Sequence, residues 1–327
     1  MIDEVMPGIF RVEIPLPKNP LRALNSYIVR GNGRFLMVDT GQNREECIEA
    51  MRSGLMELQV DLEKTDFFIT HLHADHLGLV ATLATGGSRI YFNQLEAELS
   101  SFEVSRTVEY WQRWEDIFLA NGFPDNELVR AMQSHPGRRF SLTQEVDFSV
   151  VGEGDRIDIG DYSFRCIETP GHSPGHTCLY ELEKKILISG DHVLHDITPN
   201  IMVWMDMDNS LGRYLESLSK VYELDVNIVL PGHRRLFTDH RARIRELREH
   251  HVARLEEAMD ALQDDALTAY QVAPRITWDI DFASWDQFPP MQKYFATGET
   301  IAHLKYLTAI GKVTEKKGDS QILYALS

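Results

Sequence analysis

Four residues of the types that serve as metal ligands occur within a six-residue stretch of the sequence. They follow the apolar segment 66–70, which is predicted to be a buried strand, and are His71, His73, Asp75 and His76. Residues two apart on an extended segment point the same way, so His71 and His73 can hold one ion. The chain then turns into a predicted helix, which aims Asp75 and His76 at a neighbouring point. Such a set suits two adjacent metal sites.

Three further candidate ligands stand where a predicted strand gives way to a turn: His172, Asp191 and His233. Pro170 and Gly171 fix an abrupt turn before the first of them. In layered α/β folds, ligand sites gather beyond the ends of strands. We therefore expect all seven residues to converge, although any one histidine alone is better explained as a helix cap or a core residue.

The order of these seven residues resembles the metallo-β-lactamase superfamily. The segment Val38-Asp39-Thr40-Gly41 also resembles that family's early strand and turn, and the resemblance covers about residues 7–240. It implies an α/β fold, the four-layer αββα sandwich, with a dinuclear metal centre at one edge.

The resemblance also implies a division of the ligands between two metal ions. The first ion would take His71, His73 and His172, the second Asp75, His76 and His233, and Asp191 would bridge them. Zinc is expected, with iron and manganese as alternatives, because mixed histidine and carboxylate ligands suit all three. The ligands include no cysteine, unlike those of some β-lactamases in the superfamily, which argues against antibiotic hydrolysis.

Two metal ions at such a centre would lower the pKa of a shared water from near 16 to roughly 7, which makes hydroxide available at neutral pH. Asp75 is a candidate catalytic residue that accepts a hydrogen bond from this nucleophile. His192 follows Asp191 and is a candidate proton donor to the leaving group. Asp39 is a candidate acceptor for the N–H of a ligand imidazole.

The leading hypothesis is a dinuclear metal-dependent hydrolase of a small ester or thioester, of the acyl-CoA or glutathione-thioester type. Three alternatives stay open: a metal-dependent RNA phosphodiesterase, a mononuclear iron persulfide dioxygenase, and a catalytically silent metal-binding regulatory protein. The number and identity of the bound metal ions separate most of them.

Short strands and helices alternate along the chain around these residues, but residues 95–143 differ. They are predicted to form an insertion of two or three helices rich in aromatic residues, including Trp111 and Trp114. Together with Met202 and Trp204 the insertion would cover an apolar acyl pocket. Packing of the aromatic residues within their own helix pair is the alternative.

The C-terminal part is predicted to be a separate unit. We expect a metallo-β-lactamase-like domain at 1–263 and a small winged-helix-like domain at 264–327, which serves for packing or for forming a homodimer. Six arginines after His233 suggest either an anion site or a solvated helix face, and acidic neighbours favour the latter: Arg234, Arg235, Arg241, Arg243, Arg245 and Arg248.

The charge and composition of the chain limit the classes of partner that it can bind. The net charge of −17 over 327 residues disfavours nucleic acid, so a small-molecule substrate is expected. No apolar run approaches the roughly 20 residues that span a membrane. Three cysteines without a close pair, and an N-terminus without a signal-peptide pattern, predict a cytoplasmic protein.

Overall fold

Two β-sheets form the centre of the molecule. The computed structural model describes residues 1–100, 104–279, 282, 284–318 and 321–327, with side chains for these except 104–108. The first sheet has seven strands in chain order: β1 (Ile2–Met6), β2 (Ile9–Pro15), β3 (Ala23–Gly31), β4 (Arg34–Val38), β5 (Thr65–Phe68), β6 (Ile90–Asn93) and β7 (Ser149–Val151). The second has five, in the order β12 (Ile228–Pro231), β11 (Ile186–Gly190), β10 (Thr177–Glu181), β9 (Tyr162–Glu168) and β8 (Arg156–Ile159).

Helices cover both sheets and fill the insertion. Along the chain they are α1 (Glu45–Glu57), α2 (Ala74–Leu77), α3 (Val80–Leu83), α4 (Gln94–Leu99), α5 (Val104–Ala120), α6 (Asp125–Ser134), α7 (Pro136–Arg139), α8 (Ser210–Tyr222), α9 (His240–Ala261), α10 (Ala269–Val272) and α11 (Pro290–Ala309). A hairpin of β13 (Val313–Lys317) and β14 (Ile322–Leu326) follows α11. None of the helices in the described part of the chain is long and apolar enough to cross a membrane.

Side-chain alternation along the strands creates the layers. In β4, Leu36 and Val38 enter the core between the two sheets, whereas Phe35 and Met37 face the core beneath α1. This period of two is what a sheet covered on both faces requires. With α8 and α9 packed on the outer face of the second sheet, the predicted four-layer αββα sandwich is confirmed.

The helical insertion shares a core with the C-terminal segment. Trp114 and Phe118 of α5 pack in the same apolar cluster as Tyr294 and Leu304 of α11. The rings of Phe118 and Tyr294 are stacked, with centroids 4.0 Å apart. The tail thus buries its apolar face against the insertion. The domain boundary near residue 263, the winged-helix interpretation and the homodimer stay predictions.

Candidate metal centre and substrate cavity

The predicted ligands lie in segments that follow strands, as the sequence indicated. The segment after β5 carries the first four candidates, and α2 begins directly after His73. Asp191 follows β11, and His233 lies two residues beyond β12, its parallel neighbour. His172 lies in the loop between β9 and β10. The structure therefore brings all seven side chains to one edge of the sandwich, in overlapping groups of three.

Three imidazole nitrogens converge in the first group. His73 Nδ1 lies 3.0 Å from both His71 Nε2 and His172 Nε2. Ligands of a tetrahedral zinc ion, at about 2.0–2.1 Å from the metal, lie roughly 3.3 Å from one another. Burial and the neighbouring imidazoles hold the pKa of His71 and His73 well below the ordinary value, so both rings are neutral. Neutral imidazole is the form that binds metal ions.

Hydrogen bonds at the Nδ1 atoms of His71 and His172 direct the Nε2 atoms of both rings toward His73. His172 Nδ1 donates to the Asn200 carbonyl at 2.9 Å. The Thr70 hydroxyl donates to Asp39, so Thr70 Oγ1 is left to accept from His71 Nδ1 at 3.0 Å. A neutral imidazole that donates through Nδ1 keeps an unprotonated Nε2, and both Nε2 atoms face His73.

The second group adds two carboxylates. His233 Nε2 lies 3.5 Å from Asp75 Oδ2 and 3.4 Å from Asp191 Oδ2. His76 Nε2 lies 3.5 Å from Asp191 Oδ1. Asp191 Oδ2 is also 3.7 Å from His172 Nε2 of the first group. Asp191 therefore stands between the two groups, where a bridging ligand would have to be.

Charge at this centre favours a cation. Burial lowers the pKa of His76, but Asp39 and Asp191 outweigh it and raise that pKa well above the ordinary value. Burial likewise opposes ionisation of Asp191, yet His233 and His76 hold its pKa well below the usual range. An ionised carboxylate next to imidazole nitrogens is the electrostatic environment of a divalent metal site.

Unpartnered buried atoms supply an independent test of this fit. His76 Nε2, Asp191 Oδ1 and His233 Nε2 are fully buried and have no hydrogen-bond partner. Each such atom costs about 1–3 kcal/mol when left without a partner. Their other ring nitrogens are held, His76 Nδ1 by Asp39 at 2.7 Å and His233 Nδ1 by the Ala23 carbonyl at 2.7 Å. The donor set therefore fits metal ions placed among these atoms.

Asp39 positions this edge through three hydrogen bonds. It accepts from His76 Nδ1, as the sequence suggested, and from both the amide (2.8 Å) and the hydroxyl (2.9 Å) of Thr70. Its backbone φ of 59° lies in the left-handed region, which is uncommon outside glycine. These contacts hold the strained residue in place.

Glu96 was not found by sequence reasoning, although it joins two ligand segments. Its carboxylate, fully buried at the start of α4, accepts from the Leu72 amide at 2.6 Å and from the Gly175 amide at 2.5 Å. Leu72 stands between two candidate ligands, and Gly175 follows a third. Burial raises the pKa of Glu96 to about 7. A glutamate on a short helix carries no sequence signal for this role.

The candidate proton donor His192 is placed away from the reacting face. Its side chain is fully buried, its ring lies 5.3 Å from that of Tyr214, and it does not line the cavity described below. Burial lowers the pKa of His192 to about 3. Its catalytic role stays a prediction. His176 is also buried and accepts from the Asp191 amide at 3.1 Å, which holds the backbone of Asp191 in place.

A cavity of about 950 Å³ opens onto the candidate metal centre. His73, Asp75, His172 and Asp191 line it on one side. The apolar walls come from the insertion, the segment after Asp191 and α11: Trp111, Trp114, Met202, Trp204, Tyr294 and Phe295. Trp114 lines the cavity and also packs within the helical core, and the acyl pocket stays a prediction. The contribution of α11 was not predicted.

Few positive charges reach this cavity. Among the described residues that line it, Arg138 is the only lysine or arginine, and Glu115 pairs with it at 2.8 Å. The arginines after His233 point elsewhere. Arg243 donates to the carbonyls of Leu194 and Ile197, and Arg241 to those of Tyr222 and Leu224. They hold loops and helix ends rather than an anion in the cavity.

The C-terminal segment reaches the ligand loop through Asn200. The Asn200 carbonyl accepts from His172, while its amide donates to Glu299 of α11 at 2.8 Å. Val203 N–H donates to the Gly298 carbonyl at 3.1 Å, and a Cβ at position 298 would lie 2.5 Å from Met202. Glycine permits this close approach of helix and loop. The position of His172 thus depends on α11.

Comparison with known proteins agrees with this geometry. The pattern of the Metallo-beta-lactamase superfamily matches residues 20–88 and 104–233, and that of the Metallo-beta-lactamase-like C-terminal domain matches residues 255–324. The probable metallo-hydrolase YqjP of Bacillus subtilis is 24% identical over 310 residues, 88% of this chain and 88% of its own. The human acyl-coenzyme A thioesterase MBLAC2 is 28% identical over 239 residues, 69% of this chain and 78% of its own.

A solved structure extends the likeness to the whole chain. The metallo-beta-lactamase family protein TTHA1429 from Thermus thermophilus is 26% identical, with a TM-score of 0.83 over 99% of this chain and 100% of its own. The match includes the tail, so insertion, sandwich and C-terminal segment occur together in another protein.

Proposed function

We propose a thioester as the substrate of this chain, which belongs to the metallo-β-lactamase superfamily. The chain is a hydrolase of that superfamily, with relatives that include a metallo-hydrolase and an acyl-coenzyme A thioesterase. The observation that carries the proposal is the cavity itself. Its walls are apolar, and it ends at converging histidine nitrogens and carboxylates.

We propose that two divalent ions, zinc in the first instance, bind as the resemblance implies. His71, His73 and His172 would hold one ion, Asp75, His76 and His233 the other, and Asp191 both. Bound there, the ions would lower the pKa of a water and polarise the scissile carbonyl. Asp75 lines the cavity, so its carboxylate can accept a hydrogen bond from the attacking water and orient it. The apolar walls hold the acyl group and exclude other water.

The leaving group favours a thioester over an alkyl ester. A thiol has a pKa near 8.5, so it departs as a thiolate without a strong proton donor. An alkoxide would need one. Among the described residues of the cavity, His135 is the only histidine outside the ligand set, and burial together with Arg138 lowers its pKa to about 3. A ring this reluctant to carry a proton is a poor general acid.

The scarcity of cations in the cavity indicates which part of the substrate can enter it. A phosphate-bearing thiol such as coenzyme A would keep its phosphates outside, with its thioester end inside. The same scarcity, with the net charge of −17, disfavours an RNA phosphodiester. The proposal therefore covers acyl-CoA and glutathione thioesters alike.

Metal analysis and a substrate panel test the proposal. Purified protein is expected to contain about two zinc ions per chain and to hydrolyse acyl-CoA or lactoylglutathione faster than p-nitrophenyl esters and RNA. A single iron ion per chain, together with oxygen-dependent oxidation of a persulfide, would contradict the thioesterase proposal and favour the persulfide dioxygenase. Bound metal without turnover of any substrate would favour a regulatory protein.

A further inference from the structure

One imidazole in the cavity wall has a fixed tautomer. His135 precedes α7, and its Nδ1 accepts a hydrogen bond from the Gly137 amide at 3.1 Å. A neutral imidazole that accepts at Nδ1 carries its proton on Nε2. Since the pKa of His135 is lowered to about 3, the ring is neutral at ordinary pH and its Nε2 is a permanent donor.

This donor stands among aromatic rings. The His135 ring centroid lies 4.8 Å from that of Trp111, 5.5 Å from that of Tyr294 and 6.2 Å from that of Phe295. Within the described part of the chain no group accepts a hydrogen bond from Nε2, and this atom is not among the fully buried polar atoms. It therefore retains surface facing the cavity that the residue lines.

An unused donor in an apolar wall is a specificity element. Apolar surroundings strengthen a hydrogen bond and penalise a donor without a partner. His135 is close enough to contribute to the lowered pKa of His73, but it belongs to none of the ligand groups. It is thus suited to recognise a part of the substrate beyond the scissile carbonyl.

We propose that His135 Nε2–H donates to an uncharged oxygen on the acyl chain, so that hydroxyacyl and oxoacyl thioesters are preferred to plain alkanoyl thioesters. The inference rests on the proposed thioesterase function. The aromatic rings around His135 suit the carbon chain, and the imidazole N–H suits one oxygen on it. A charged group is disfavoured there, because Arg138, the one lysine or arginine among the described residues that line the cavity, already pairs with Glu115.

The first test compares 3-hydroxyhexanoyl and hexanoyl thioesters of N-acetylcysteamine. Wild-type protein is expected to favour the hydroxyl-bearing substrate in kcat/KM by roughly three- to ten-fold, the range of one uncharged hydrogen bond. His135→Phe keeps an aromatic ring in place but removes the donor. It should bring the ratio of the two kcat/KM values close to one, whatever its effect on the turnover of either substrate alone. His135→Gln, which retains a donor, should keep part of the preference.

A second test uses binding to the purified, metal-loaded protein, which cannot hydrolyse a thioether. Thioether analogues, in which a methylene replaces the scissile carbonyl, are titrated against the fluorescence of Trp111, Trp114 and Trp204, which line the cavity. The hydroxyl-bearing analogue should bind tighter to wild type and no tighter than the plain analogue to His135→Phe. Thermal unfolding of each variant monitors the loss of the helix cap.

The outcomes separate the two proposals. Absence of thioester hydrolysis by metal-loaded protein overturns the thioesterase function, and the analogue titration still reports on His135. Hydrolysis with equal kcat/KM for the two acyl chains overturns the His135 inference alone. A preference for the hydroxyl-bearing substrate that survives in His135→Phe also overturns it.

Discussion

Two buried groups of histidines in this protein look alike in composition but differ in where their protons lie. In the candidate metal centre, the Nε2 atoms of His76, His172 and His233 lie around Asp191, while the Nδ1 atom of each ring donates elsewhere. The second histidine cluster comprises His250, His251 and His303 together with Arg254 and Glu299, and three of these side chains are close enough to hold an ion. There, however, Arg254 Nε donates to His250 and His251 Nδ1 donates to His303, while His251 Nε2 is buried without a partner among the described residues.

The hydrogen bonds of the second histidine cluster run in one direction. His303 Nδ1 donates to the Glu299 carbonyl at 2.8 Å, so His303 Nε2 accepts from His251 Nδ1 at 3.1 Å. Arg254 Nε donates to His250 Nε2 at 2.9 Å and lies 3.7 Å from Glu299 Oε1. A guanidinium thus takes the place that a metal ion would need. Proximity of ligand-type residues does not make a metal site unless their lone pairs are free to meet.

The largest expected effect is loss of the Asp191 carboxylate. Asp191→Ala should reduce metal content and abolish hydrolysis while circular dichroism shows the fold retained, because both groups of ligands lose their shared anion. Elemental analysis and a thioester assay measure this. His251→Phe is the matched control from the second histidine cluster and should keep both ions; full activity in Asp191→Ala would refute the assignment.

Removing the Arg254 guanidinium tests whether this side chain keeps metal ions out of the second histidine cluster. Arg254→Met should destabilise the protein by about 3–5 kcal/mol, since it leaves the buried Glu299 carboxylate without its cation. Added zinc should recover part of this stability by binding His250, His251 and Glu299, and the metal count should rise by one. Denaturation with and without zinc measures both. An unchanged count would mean that the arginine is not what excludes a metal ion.

A smaller effect is expected at the carboxylate that joins the ligand segments. In Glu96→Gln, the side-chain NH₂ group would face the backbone N–H of either Leu72 or Gly175, and that N–H would lose its acceptor. The free energy of unfolding should fall by about 1–3 kcal/mol. Unfolding in urea and competition with a zinc chelator should show lower stability and weaker metal retention. Glu57→Gln, on the exposed face of α1, is the control. Equal chelator resistance in the two variants would limit Glu96 to a stability role.

The smallest effect concerns the cavity wall. Trp114→Ala should raise KM for long acyl thioesters several-fold and leave acetyl thioesters unchanged, because only a long chain reaches this wall. Metal content should stay at the wild-type value. A uniform change in KM across chain lengths would show that Trp114 acts through packing of the helical core instead.

The candidate ligands could be predicted because they follow a local rule, whereas the four-layer fold was implied by the resemblance to the metallo-β-lactamase superfamily. A histidine or aspartate directly after a buried strand lies at a sheet edge, whichever strand it follows. Glu96, Asn200 and Glu299 escaped prediction because their roles depend on contacts between distant segments, such as the bond from Asn200 to α11. The burial of His192 was equally invisible, since its position after Asp191 says nothing about Tyr214 of α8.

Helix α11 supplies Tyr294 and Phe295 to the cavity and Glu299 to the loop of His172. A chimera that received the tail of a relative would therefore inherit a new acyl preference and a new support for its metal ligand in a single exchange. Diversification of such proteins need not touch the ligand motif at all, because one helix far along the chain couples selectivity to the integrity of the catalytic edge.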